Sequence, residues 1–122
     1  MLLKLLGLEI PKSTIIGRNI SFPHLGGNIV IHPDTIIGDN VRIFHGVTIG
    51  RADVQNSRKN SLMEKIIIED GAILCSGAKI LCKEGTLIVG KGTIVGANAV
   101  LTQSTGENEV WVGIPARKIS SV

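Results

Sequence analysis

A six-residue beat of aliphatic side chains runs through nearly the whole chain and constrains its fold more than any single residue. Ile10 and Ile16 open it, followed by Leu25, Ile31, Ile37, Ile43 and Ile49. It resumes at Ile68, Leu74 and Ile80, and again at Val89 and Val95. A glycine often follows directly, as at Gly17, Gly26, Gly38, Gly50, Gly90 and Gly96. Four positions after the aliphatic residue stands a small or β-branched one, such as Thr35, Val41, Val47, Ala72, Ala78 or Ala99. Six is not a multiple of the helical 3.6, but it is a multiple of the strand period of two. Each hexad therefore reads as a short strand plus a turn, with the glycine expected to supply the corner's unusual backbone angles. One hexad cannot bury its own aliphatic residue, so hexads must stack. The fold class is all-β: a parallel β-helix whose coils of three hexads form a triangular prism.

Composition agrees. Aromatic residues make up only 2% of the 122 residues, while hydrophobic residues reach 43%, almost all Ile, Val, Leu and Ala. Stacked ladders need β-branched side chains of equal size, which accounts for both numbers. The net charge of +3 raises the question of nucleic acid. With no Tyr, and only Phe22, Phe44 and Trp111 able to stack on bases, a single-strand platform is excluded. The basic residues are scattered, apart from a mild cluster at Arg51, Arg58, Lys59 and Lys65. Cys75 and Cys82 form no disulfide pattern and no cleavable leader is recognisable, so reduced thiols and a cytoplasmic location are expected. The apolar stretch Met1–Leu8 is too short to span a membrane, so no stable insertion is expected. Residues 1–9 read as a short arm or helix on the first coil.

The breaks in the beat carry more information about function. Phe22-Pro23-His24 separates two hexads, a polar insertion covers about 51–65, and a shift of about three residues falls within 81–86. The β-helix domain is expected over 10–110, with the insertion as a protruding loop, followed by a turn and tail over 111–122. Insertions in repeat proteins form loops that often bear function. Counting in coils of 18 residues stacks His45 over Gly27, with His24 beside that column. The same count puts His32 under Gly50, at a different corner.

These segments carry a resemblance. Ile16-Gly17-Arg18, Pro23-His24, Ile29-Val30-Ile31-His32-Pro33, Gly46-Val47-Thr48-Ile49-Gly50, Ser76-Gly77-Ala78-Lys79-Ile80, Val95-Gly96-Ala97-Asn98-Ala99 and Val112-Gly113-Ile114-Pro115-Ala116-Arg117 occur in the order found in hexapeptide-repeat acyltransferases. The stretch from Glu9 to Ile119 resembles their serine acetyltransferase group, including shorter relatives of exopolysaccharide O-acetylation. The resemblance implies a left-handed β-helix, a homotrimer, and acyl transfer from acetyl-CoA to a hydroxyl. It places the general base at His24 and an orienting carboxylate at Glu9. A hydroxyl is too weak an acid to attack a thioester unaided, so a base titrating near neutrality must take its proton. His45, Arg58 and Lys65 are expected on the acceptor side. Gly77, Ala78, Gly96 and Ala97 are expected to expose backbone to the pantetheine arm, and Arg117 and Lys118 to meet the phosphates of coenzyme A.

The chain departs from serine acetyltransferases where the acceptor is chosen. Their Asp before the base is Pro23 here, and the nearest counterparts of their Arg-His pair are Glu64-Lys65. An amino-acid zwitterion needs a charged partner at each end. The expected acceptor is therefore a sugar hydroxyl, with serine as the alternative. A β-helical carbonic anhydrase with three His ligands fits less well, because His32 is remote from His24 and His45, and no metal is expected. A non-catalytic scaffold leaves the insertion at His24 without a reason.

Overall fold

A computed structural model describes residues 7–24 and 27–122. The first coil holds β1 (Leu8–Glu9) and β2 (Ile15–Ile16), and the second β3 (Ile29–Ile31), β4 (Thr35–Ile37) and β5 (Arg42–Ile43). The third holds β6 (Thr48–Arg51), a 3-10 turn at Arg58–Asn60, β7 (Met63–Ile68) and β8 (Ile73–Leu74). Then follow β9 (Lys79–Cys82), β10 (Gly85–Val89), β11 (Ile94–Val95) and β12 (Val100–Leu101), and finally β13 (Glu109–Gly113) and β14 (Ala116–Ser121). They assemble into three sheets that form the faces of a prism: β1-β3-β6-β9-β12 (face A), β2-β4-β7-β10 (face B) and β5-β8-β11-β13-β14 (face C). All pairings are parallel except β13 with β14. Among the described residues no helix is long and apolar enough to cross a membrane.

The beat residues form the core. Ile31, Ile49, Ile80 and Leu101 stack inside face A, Ile37, Ile68 and Val89 inside face B, and Ile43, Leu74 and Val95 inside face C. All are buried. Each buried Ile or Leu contributes about 1.5–3 kcal/mol over an exposed one. Trp111 stacks above Val95 and closes the face C ladder. At the other end Ile15 and Ile16 remain 61% and 40% exposed, because they belong to the first described coil and carry a neighbour on one side only. The beat position at Leu25 lies outside the described residues.

The coils depart from 18 residues at every step but one, the last (Ile94 to Val110) falling to 16 and the others running to 21 or more. Val30 pairs with Thr48, a step of 18, whereas Ile15 pairs with Ile36 and Ile68 with Val89, steps of 21. Ile37 pairs with Ile68, a step of 31 that contains the insertion. The insertion is shorter than expected: Arg51 ends β6 and Met63, Glu64 and Lys65 begin β7, leaving Ala52–Leu62 outside the strands. Glu64 and Lys65, adjacent and both exposed, open that strand where its pairing with β10 is irregular. Next to the shift within 81–86, the pairing of β10 with β7 changes register between Gly85 and Thr86 and passes over Glu64. The tail expected over 111–122 is an antiparallel hairpin, and Leu8–Glu9, placed in the arm, is strand. The remainder of that arm lies outside the described residues.

The corners also differ from expectation. Between faces B and C the left-handed conformation recurs at Asn19, Asn40, Gly71, Gly92 and Asn108, with φ from 55° to 72°. Between faces C and A it recurs at Gly7, Asn28, Gly46, Gly77 and Asn98, with φ from 55° to 77°. Asn and Gly are the residues that tolerate this region at least cost. Among the described residues the beat glycines Gly17, Gly38, Gly90 and Gly96 have no left-handed φ and serve close approach instead. A Cβ on Gly17 would strike Oδ1 of Asp39, and one on Gly38 would strike Oδ1 of Asp70. Those oxygens accept the N–H groups of Arg18 and Asp39 at 2.8 Å, tying coil to coil. The third corner, between faces A and B, has no such column and carries the insertion.

Candidate functional site

Face A has a histidine corner at each edge. At the C–A edge, the insertion Phe22-Pro23-His24 lies beside the corner Phe44-His45-Gly46. The imidazoles of His24 and His45 meet edge to face with centroids 5.1 Å apart, and His24 lies 6.2 Å from the Phe44 ring. Both histidines are exposed. The 18-residue count that stacks His45 over Gly27 is borne out: a Cβ on Gly27 would collide with the Cβ of His45, and Gly46 N–H donates to Gly27 O. Gly27 is the residue that lets the second imidazole settle on the first.

His32 occupies the A–B edge, one step below Gly50 as counted. Its ring is half-buried, and its Nδ1 accepts the Asp34 N–H at 3.0 Å. The neutral ring therefore carries its proton on Nε2 and cannot act as a base there. Burial pushes its pKa below the ordinary 6.5; Arg58 and Arg51 push the same way, and Asp34 opposes them. Arg58 pairs with Asp34 at 2.9 Å, which places it at this corner and not beside His24. Lys65 stands outward on β7 in face B, opposite Thr86 of β10. The structure thus separates Arg58 and Lys65 from the imidazole pair. Glu9 is outward on β1 and lines a cavity of about 640 Å³ together with Lys12, Val30, His32, Pro33 and Thr48. Among the described residues the aromatic rings beside His24 are those of Phe44 and His45.

The residues expected to meet coenzyme A fare unequally. Ala78 is fully buried, its side chain inside the prism, so it offers no surface. Gly77 is engaged at both backbone groups: its N–H donates to His45 O at 2.9 Å, and its carbonyl accepts from Lys79 Nζ at 2.9 Å. Gly96 N–H is spent on Trp111 O at 2.8 Å. Ala97 is exposed, as is Arg117, whereas Lys118 is drawn to Glu109 at 3.1 Å.

Two side chains that hold these corners in place escaped the sequence. Asp53, 3% exposed, fastens the insertion: it accepts from Ser61 Oγ at 2.8 Å, Arg51 Nη1 at 3.0 Å and Asn56 Nδ2 at 3.4 Å. The Ser61 hydroxyl, ahead of Asn56 and Arg51, holds its carboxyl below the usual range despite the cost of burial. Lys79 is the other. Both thiols are pushed upward by burial, and Cys82 is buried. Among the described residues no three His, Cys, Asp or Glu side chains gather as metal ligands.

No protein-family model matches the chain. It is 35% identical over 113 residues to a serine acetyltransferase of Bacillus pumilus, covering 93% of this chain and 48% of the relative. A serine acetyltransferase of Brucella abortus, solved in complex with coenzyme A, superposes with a TM-score of 0.76 at 29% identity. The superposition covers 90% of this chain and 40% of that one. Over nearly its whole length the chain is similar to part of the serine acetyltransferases. A second structure of this group, from Neisseria gonorrhoeae in complex with serine, gives a TM-score of 0.77 at 25% identity, over 93% of this chain and 43% of that one. The left-handed winding implied by the resemblance is the winding of these serine acetyltransferase structures. This serine acetyltransferase-like chain spans about half the length of the curated relatives it matches.

Proposed function

We propose that the chain is an acetyl-CoA-dependent O-acetyltransferase with His24 as general base. The observation that carries this reading is the exposed imidazole pair, set by an insertion at one corner of a β-helix of the serine acetyltransferase kind. An imidazole nitrogen of His24 takes the proton of the acceptor hydroxyl as its oxygen bonds to the thioester carbonyl carbon. The carbon–sulfur bond then breaks, and the imidazolium returns the proton to the departing thiolate. His45 is the second imidazole of the site, and Ala97 and Arg117 are the groups still open to coenzyme A. Glu9, outward on β1 of face A, is the carboxylate proposed to orient that ring. A homotrimer in the cytoplasm completes the reading.

The relatives point to serine rather than to the sugar expected from the sequence, and serine is the acceptor we favour. One observation keeps the sugar reading: Arg58 is tied to Asp34 and Lys65 stands on face B, so neither is at the His24 corner to hold a carboxylate. Thiol release from acetyl-CoA, measured with L-serine and with a panel of sugars, decides. Turnover with L-serine alone supports the first reading, and turnover with a sugar alone overturns it. No release with any acceptor overturns the transferase.

A further inference from the structure

Lys79 is placed as no ordinary surface lysine is. It lies on the outward side of β9 in face A, directly above Thr48 of β6. From there a lysine normally extends its ammonium into water. Here Nζ turns to the C–A corner and donates to Gly46 O at 2.8 Å and to Gly77 O at 2.9 Å. Holding that side chain still costs up to about 2 kcal/mol of rotamer freedom, so the charge must be repaid by its partners. Those partners are the left-handed column Gly46 and Gly77. Gly46 directly follows His45, whose own carbonyl accepts the Gly77 N–H. The ammonium is therefore fixed against the same two corner residues that support the imidazole pair.

The chemistry at that corner needs a donor. When the acceptor oxygen adds to the thioester, the carbonyl π pair moves onto oxygen, and this oxyanion needs a donor placed beforehand. Backbone N–H groups are the usual supply, but Gly46 N–H is held by Gly27 O and Gly77 N–H by His45 O. An ammonium has three N–H donors, and two of those on Lys79 are engaged with the corner carbonyls. Resting on the acetyltransferase reading above, we propose that Lys79 is a catalytic residue whose remaining N–H stabilises the oxyanion of acetyl transfer. It keeps its proton throughout: His24 alone receives the acceptor proton and passes it to the thiolate as the carbon–sulfur bond breaks.

The test compares Lys79→Met and Lys79→Arg with wild type, using acetyl-CoA and whichever acceptor wild type accepts. Lys79→Met is expected to lower kcat about 10²–10³-fold with KM for acetyl-CoA changed less than about twofold. Lys79→Arg, which keeps a charged donor, is expected to recover at least about tenfold of that loss. Histidine side-chain NMR of Lys79→Met reports whether the corner has moved. Unshifted His24 and His45 resonances beside a low kcat support the proposal. Shifted resonances with a matching fall in melting temperature overturn it in favour of a structural cap. A Lys79→Met kcat within about threefold of an active wild type overturns it and leaves the transferase standing. An inactive wild type overturns both, since no oxyanion then forms.

Discussion

The two histidine corners of face A are built from the same repeat and are chemically opposite. At the C–A edge, His24 and His45 are exposed, meet edge to face, and sit beside a glycine-lined column held by an ammonium. At the A–B edge, His32 is half-buried, its Nδ1 is committed to a backbone N–H, and its surroundings are locked by Arg58–Asp34 and by Asp53. A base needs a nitrogen with a free lone pair and access to substrate; among the described residues the His32 ring does not meet this need, its Nδ1 being occupied. Residue type alone does not separate the two, but the hydrogen bond on Nδ1 does.

Removing each imidazole makes the sharpest break in that comparison. His24→Ala is expected to lower acetyl transfer about 10²–10⁴-fold with the fold intact. His32→Ala is expected to leave kcat within about threefold, because a ring already spent at Nδ1 has little of the barrier to lose. Steady-state rates with circular dichroism on both variants check this. Equal losses in the two would erase the distinction between the corners.

A second contrast concerns the backbone under each corner. Gly46, at φ +74°, belongs to the left-handed column, whereas Gly50, near the other edge, meets nothing closer than 3.9 Å at its missing Cβ and has no left-handed φ. Gly46→Ala is expected to cost about 1–2 kcal/mol. Gly50→Ala is expected to be neutral or to stabilise by up to about 1 kcal/mol, through the unfolded chain. Urea midpoints measure both, and a Gly50→Ala loss as large as that of Gly46→Ala would refute the assignment of strain to the column.

Much of this frame was legible beforehand. Ile31, Ile37, Ile43, Ile49, Ile68, Leu74, Ile80, Val89 and Val95 are all buried, because period and burial are the same property in a solenoid. His45 over Gly27 was found by counting because the single 18-residue step falls between β3 and β6. Elsewhere the 21-residue steps defeat an 18-residue count. The beat glycines were misread because a missing Cβ serves either a left-handed φ or a close neighbour, and sequence does not distinguish them. Lys79 and Asp53 left no signal at all. A lysine at an outward hexad position and an acid in a polar loop look like solvated surface until their partners 33 and 8 residues away are in place.

A smaller effect tests how firmly the insertion is held over the A–B corner. The Arg58–Asp34 pair is 58% and 39% exposed at its two side chains, so water screens most of its attraction. Arg58→Ala is expected to cost only about 0.2–1 kcal/mol, decreasing further at high salt. Limited proteolysis within Ala52–Leu62 should change little, because Asp53 fastens the loop from inside. Rapid cleavage there in Arg58→Ala would shift the anchoring role from Asp53 to the surface pair.

The pH dependence of stability separates the corners by the slightest margin. Burial first, then Arg58 and Arg51, lower the His32 pKa in the fold, with Asp34 opposing. The unfolded chain thus binds a proton at His32 more readily than the folded one. Its contribution to stability is complete above the unfolded value near 6.5, and is lost as pH falls through that value towards the lower folded one. Urea unfolding of wild type and His32→Gln, compared at pH 8 and at pH 5, isolates this single group. Wild type is expected to lose more stability on acidification than His32→Gln, since the variant has no ring to protonate. If the two lose the same amount, burial does not hold His32 neutral. The Nδ1 hydrogen bond, which also favours the neutral ring, would fall with it.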